Sequence, residues 1–270
     1  MREIITNLDK KKVSRKNILL TCIILTLVSL IFTSGSSKFL FKYKLPTENF
    51  VTVLIEASLD APCNLSDTGF LGTEECETNN PVIIYSTRAS AAALKSINGV
   101  TYFLTAAHFC DIDYEIERIP PDLSEFLEIE RKIYKDEKQI DFEIVKFDSS
   151  LDLCLIRANY EISEELILAD EMPEVGELTK TISSPLGISE KNVNFHFSGT
   201  FSGCNESACF FTIPAIGGSS GSLVLNYDNE VVGITQQSLV GFPEVTIGVG
   251  IFKIKSFLKE FRDEVGIDLL

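Results

Sequence analysis

From Phe50 onward, short runs rich in Val, Ile, Phe and Thr alternate with Gly, Pro, Asn and Asp, and each run has the length of a β-strand. The pattern predicts a first set of strands at Phe50–Ala57, Val82–Thr87, Val100–Thr105, Phe126–Tyr134, Ile140–Phe147 and Leu153–Ala158. A second set is expected at Glu177–Ser183, Val193–Phe197, Cys209–Ile213, Ser222–Asn226, Val231–Thr235 and Val245–Ile251. This many short strands point to two barrels or a sandwich. Only the C-terminus departs: Ile254, Phe257, Leu258 and Phe261 recur at helical spacing and predict one amphipathic helix over 253–265. No repeat of solenoid period runs through the chain.

The N-terminal pattern is of another kind. Between Lys16 and Lys38 lie 21 residues without a charge, and Ile18 to Phe32 is almost wholly apolar. As a helix such a stretch spans about 30 Å, the thickness of a bilayer's hydrocarbon core. It has no polar face, which argues against a core helix of a soluble domain. The basic arm before it marks the cytoplasmic side. The expected organisation is therefore an arm at 1–17, an uncleaved transmembrane signal-anchor at 18–37, a stalk at 38–48 and a body at 49–270 outside the cytosol. Cleavage of the apolar segment as a signal peptide would make the body secreted instead.

Charge sharpens this division. Over 270 residues the formal net charge is −15, but the arm carries six basic and two acidic side chains, or +4, which leaves −19 beyond it. A body so acidic repels phosphate backbones, so no nucleic-acid partner is expected. At 45% hydrophobic residues the chain is no disordered polymer and can build a core without a metal framework. Asp111 to Lys146 is the most charged stretch, with twelve acidic and six basic residues. It reads as a solvated loop followed by an exposed hairpin turning at Asp136 to Gln139, in preference to a docking surface for a basic partner.

Three segments carry candidate chemistry, in the order Thr105-Ala106-Ala107-His108, then Asp152-Leu153-Cys154-Leu155, then Gly217-Gly218-Ser219-Ser220-Gly221-Ser222. Singly they are a histidine after a strand, a turn aspartate and a glycine-serine run. Together, in this order and each beside a predicted strand, they resemble the chymotrypsin-fold (trypsin-like) serine peptidases. The resemblance extends from about Val51 to Val265 and includes Ser184-Pro185-Leu186-Gly187 and Glu230-Val231-Val232-Gly233-Ile234. It implies an all-β fold of two six-stranded antiparallel barrels, at about 49–160 and 166–252, closed by the C-terminal helix.

The family's chemistry implies a role for each residue. A serine hydroxyl becomes nucleophilic when an imidazole takes its proton, and the imidazole needs a carboxylate to fix its tautomer and stabilise its charged form. The resemblance assigns these roles to Ser220, His108 and Asp152. Backbone N–H groups of Gly218 and Ser220 would receive the oxyanion. Ser219 is the rival nucleophile, and the G-x-S-G spacing selects Ser220. The second histidine, His196, is expected on an ordinary strand. The implied function is a serine endopeptidase acting on protein or peptide substrates, with no cofactor and no metal. A non-catalytic binding or adhesion module on the same fold is the alternative. An α/β-hydrolase esterase is excluded by the strand-rich pattern and by the order of the three residues.

Departures from the family bear on specificity. Six residues before the nucleophile, where trypsin carries an aspartate for basic side chains, stands Pro214; where glutamyl-specific relatives place a histidine, stands Thr235. Pro214, Ala215, Ile216, Thr235, Gln236, Gln237 and Ser238 are expected to form an uncharged pocket for small, apolar or uncharged polar side chains. The amino-terminal Ile-Val-Gly-Gly of pancreatic-type activation is absent. Of seven cysteines, Cys22 lies in the apolar segment and six lie beyond it, an even number suited to an oxidising compartment. Cys204 with Cys209, and Cys63 with Cys76, would each close a short loop. Cys110 and Cys154 follow His108 and Asp152 by two residues each, a placement open to pairing or to a reduced core thiol at Cys154. Asn64-Leu65-Ser66 and Asn205-Glu206-Ser207 are glycosylation sequons.

Overall fold

The computed structural model describes residues 50–59, 82–111, 121, 127–135, 138–188, 190 and 193–270. The arm, the apolar segment 18–37, the stalk, and Cys63 and Cys76 lie outside the described residues, as do most of 111–126. Among the described residues no helix is long and apolar enough to cross a membrane.

The architecture is mostly β. A first sheet contains β1 (Phe50–Leu59), β2 (Val82–Ile97), β3 (Val100–Thr105), β4 (Leu127–Lys135), β5 (Lys138–Ile140), β6 (Phe142–Asp148) and β7 (Leu153–Ala158). Its order is β5-β4-β1-β2-β3-β7-β6. A second sheet contains β8 (Ile167–Leu168), β9 (Leu178–Ser183), β10 (Phe195–Cys204), β11 (Cys209–Phe211), β12 (Leu223–Leu225), β13 (Glu230–Leu239) and β14 (Phe242–Gly250). There β12, β9, β10, β11, β14 and β13 follow one another, and a β12–β13 pairing closes them into a six-stranded barrel, with β8 added in parallel beside β13.

The first sheet corrects the expectation of two closed six-stranded barrels. It has seven strands, and among the described residues no ladder joins its edges, β5 and β6. Asp141 alone separates those edges in sequence, so the sheet curls until they meet at one corner. Two of the three β5 residues, Lys138 and Gln139, are exposed, which leaves only Ile140 to seal the seam. The sequence pattern counts strands, whereas closure depends on a ladder between edges that no periodicity encodes.

Packing explains where strands exceed their expected bounds. β2 continues ten residues beyond Thr87 through an alanine-rich stretch of poor strand propensity. Ala89, Ala91 and Ala93 face the core inside the first sheet, while Ala92 and Leu94 face the core between the two sheets. Small side chains suit a strand buried on both faces. β3 and β7 are buried in the same way: Phe103, Cys154 and Ile156 point into the first sheet, and Tyr102, Leu104, Leu153 and Leu155 point toward the second.

The inter-sheet core also receives Ile182, Leu223, Val231, Ile234 and Val249 from the second sheet and one face of α1 (Ile251–Val265). Ile251, Ile254, Phe257, Leu258 and Phe261 are buried along that face, as their spacing predicts. Gly266 ends the helix in the left-handed region, at φ 78°, and donates its N–H to the Arg262 carbonyl. Burial of each large apolar side chain contributes about 1.5–3 kcal/mol, so this face alone anchors the helix to both sheets.

One buried charge opposes the fold. Lys180, on β9 and 9% exposed, donates to the Tyr227 carbonyl at 3.2 Å, and burial pushes its ammonium down to about 8 despite the favourable charge of Asp228. Between that value and the ordinary 10.5, the unfolded chain binds the extra proton, so stability attributable to Lys180 rises with pH. Denaturant unfolding of wild type and Lys180→Met at pH 7 and pH 10.5 should show a pH-dependent difference on the order of 2 kcal/mol, the lysine costing more at the lower pH. A difference independent of pH would contradict this account.

Candidate active site

The site begins at the paired ends of β3 and β7. Thr105 is the partner of Cys154 in that ladder. Three residues past Thr105, in a 3-10 turn at Ala107–Phe109, stands His108; two residues before Cys154 stands Asp152. The register thus brings the two side chains together. His108 Nδ1 lies 3.1 Å and 3.2 Å from Asp152 Oδ1 and Oδ2, and the His108 backbone N–H donates to Oδ1 at 3.0 Å. A carboxylate at Nδ1 selects the tautomer that carries its proton there, which leaves Nε2 as the basic nitrogen. Asp152 adopts φ 51°, a left-handed conformation to which aspartate is better suited than most side chains.

A disulfide between Cys110 and Cys154 ties the histidine turn to the aspartate strand, and a second joins Cys204 to Cys209. Both sulfurs of the first are buried in the core of the first sheet. A pocket of about 190 Å³ opens beside the pair, lined by His108, Asp111, Ser149 and Asp152, with the Ser149 hydroxyl donating to Asp111.

The Gly217–Ser222 turn comes to this place by close backbone packing. Gly221, at φ 82°, leaves no room for a side chain: a Cβ there would lie 2.0 Å from the Ser90 carbonyl oxygen and 2.5 Å from Thr105 Oγ1. Ser220 is therefore held beside the strand end that leads into His108. Its hydroxyl donates to the Gln236 carbonyl at 2.6 Å, and the Gln236 side-chain amide donates to the Leu151 carbonyl at 2.8 Å. Gln236 thereby links the serine turn to the aspartate loop.

Ser219 is turned elsewhere. It is buried, and its hydroxyl meets Ile216 N–H and Ser183 Oγ inside the protein. Gly218 stands at φ 94°, where a Cβ would lie 2.4 Å from the Ser184 carbonyl oxygen. Among the described residues, the N–H groups of Gly218 and Ser220 have no hydrogen-bond partner. They can serve as donors to an anion beside the serine. His196 lies on β10 opposite Ile182 and lines neither pocket.

A second pocket, of about 250 Å³, has an almost wholly apolar wall of Phe197, Pro214, Ala215, Ile216, Ser219, Pro243 and Glu244. Of the expected lining, Pro214, Ala215 and Ile216 are present. Thr235 is buried, Gln236 reaches toward Leu151, and neither they nor Gln237 and Ser238 line it. Phe197, Pro243 and Glu244 escape a sequence reading because strand pairing alone brings them in. The Ala215 N–H, for example, donates to the Pro243 carbonyl at 2.8 Å.

Residues 90–234, more than half of the chain, match the family described as the trypsin-like peptidase domain. No curated protein matches the sequence. Among solved structures, an inactive mutant form of Rv3671c from M. tuberculosis H37Rv is similar with a TM-score of 0.53 at 10% identity, over 82% of this chain and 90% of that one. The active form of the Rv3671c protease from M. tuberculosis is similar with a TM-score of 0.53 at 14% identity, over 79% and 81% respectively. At such identities these likenesses concern the fold.

The Cys110–Cys154 bridge spans 44 residues, and closing a loop of that size stabilises a fold by about 2–4 kcal/mol. Replacing both cysteines by alanine should lower the free energy of unfolding by that amount in a guanidinium titration. A non-reduced digest of the wild type should contain the linked peptides. Free thiols at both positions would contradict the bridge.

Proposed function

Because the chain belongs to the trypsin-like peptidase domain family, we propose that it is a serine endopeptidase using Ser220, His108 and Asp152. The observation that carries this reading is the His108–Asp152 pair standing beside a serine turn with two unpartnered N–H groups. In the proposed reaction the Ser220 hydroxyl leaves the Gln236 carbonyl and gives its proton to His108 Nε2 as Oγ attacks the scissile carbonyl. Asp152 stabilises the imidazolium. The developing oxyanion takes the N–H groups of Gly218 and Ser220. His108 then protonates the departing amine and an acyl-enzyme remains on Oγ; a water molecule, giving its proton to His108, attacks the acyl carbon, and the carboxylic acid product leaves as His108 returns that proton to Ser220 Oγ.

The apolar pocket would receive the side chain before the cut, which favours apolar residues over basic or acidic ones. We further propose that segment 18–37 anchors the chain in a membrane and holds the peptidase body outside the cytosol, a reading supported by the uncharged run and the basic arm before it. Two disulfides agree with such a compartment. One observation favours the non-catalytic alternative: the Ser220 hydroxyl donates to Gln236.

The two readings separate on labelling of the purified full-length chain by a fluorophosphonate probe, which modifies only a serine activated in this way. Ser220→Ala should abolish labelling and lower peptide hydrolysis by about 10⁴-fold or more, whereas Ser219→Ala should keep substantial activity. A wild type that does not label would support a binding module. In a peptide library, cleavage after Leu, Val or Ala should dominate, and dominant cleavage after Arg or Lys would refute the pocket assignment.

A further inference from the structure

Two N–H groups can act as an oxyanion hole only if their peptides are held in one orientation. A trans peptide is planar with its carbonyl opposed to its N–H, so fixing the carbonyl aims the N–H. The peptide bearing the Gly218 N–H is fixed through the Gly217 carbonyl, which accepts from Leu186 N–H at 2.6 Å. The peptide bearing the Ser220 N–H is fixed through the Ser219 carbonyl, which accepts from Ser222 Oγ at 2.6 Å and from Ser222 N–H at 3.1 Å. Between them lies the Gly218–Ser219 peptide. It follows a glycine at φ 94°, whose own preferences do not determine its direction.

Ser90 controls that middle peptide. It lies on β2, fully buried, in the other sheet. Its hydroxyl donates to the Gly218 carbonyl at 2.7 Å, and its backbone N–H donates to the Ser220 carbonyl at 2.7 Å. The same hydroxyl accepts from Ser184 N–H at 3.0 Å, at the head of the turn whose Leu186 N–H holds the Gly217 carbonyl. Thr105 Oγ1 in turn donates to the Ser90 carbonyl at 2.7 Å, on the strand that leads to His108. One buried hydroxyl therefore joins the glycine turn to the Ser184–Gly187 turn.

We propose that Ser90 is a positioning residue for the oxyanion hole, holding the Gly218 and Ser220 N–H groups in their donating orientation through its side-chain hydroxyl. The inference rests on the peptidase reading. Its test is hydrolysis of the p-nitrophenyl ester of N-acetyl-leucine by the full-length chain, with active enzyme counted by fluorophosphonate titration so that loss of folded protein does not enter. Removing a direct oxyanion donor costs about 10²–10³ in kcat, and a residue acting through the peptide should cost less. Ser90→Ala should lower kcat about ten- to hundredfold, change KM less than about threefold, and weaken a leucine boronic acid, which mimics the tetrahedral state, by a factor similar to kcat.

Should the alanine variant fail to fold, Ser90→Cys keeps the shape with a much weaker donor, and kcat should fall several-fold. A purely structural role would lower the melting temperature while leaving kcat per active site and boronate affinity unchanged, and that result overturns the proposal. An inactive wild type would sink the peptidase reading and this inference with it, whereas an active wild type with unimpaired Ser90 variants would sink the inference alone.

Discussion

At the end of the β3–β7 ladder Thr105 pairs with Cys154, and the positions of His108 and Asp152 follow from that register. Beyond Thr105 the chain must turn away, which puts His108 over the end of β7; before Cys154 it must arrive from a loop, which puts Asp152 beneath the imidazole. A shift of the ladder by one residue would exchange the two buried faces of both strands. It would drive Tyr102 and Leu104 out of the inter-sheet core and Phe103 out of the other. Several large buried side chains resist that slip, each by about 1.5–3 kcal/mol. The precision of the histidine-aspartate pair is thus set by the core, and the disulfide two residues from each member reinforces it.

The serine turn is fixed by backbone bonds rather than by apolar packing. Its carbonyls at Gly217, Gly218, Ser219 and Ser220 all accept hydrogen bonds, from Leu186, Ser90, Ser222 and Ser90 respectively. Two of the donors come from a strand of the first sheet and one from a loop after β9. The unpartnered N–H groups of Gly218 and Ser220 are therefore held in place through contacts between the two sheets. Glycine is required at two points for that docking, since any side chain at Gly218 or Gly221 would strike backbone atoms of the neighbouring elements.

How much of this is legible in the sequence depends on what each feature is made of. Strand positions and the helical face of α1 are written in local pattern, and most appear close to their expected places. The reach of β2 is not, because its alanines favour no strand and find their reason only in a position covered on both faces. Closure of the first sheet is not, because it concerns a pairing between edges. The short β8 escapes for the same reason: two residues paired in parallel with Glu230 and Val231 carry no period. At the site, the three segments are legible as motifs. The roles of Ser90, Gln236, Phe197 and Pro243 are not, since each depends on a contact with a distant segment of the chain.

The Ser220 hydroxyl bond to the Gln236 carbonyl bears on the proposed reaction through its size. A neutral hydrogen bond of this kind contributes about 0.5–1.5 kcal/mol net. Breaking it before attack would slow a reaction by about tenfold at most, since 1.36 kcal/mol corresponds to one power of ten. General base and oxyanion contributions each exceed that by at least tenfold. The Gln236 carbonyl also keeps a second lone pair for a backbone N–H of a bound peptide. The contact is thus a small tax on the first step, weaker than the general-base assistance proposed for His108 at Ser220 Oγ and than the stabilisation the Gly218 and Ser220 N–H groups would give the substrate's oxyanion.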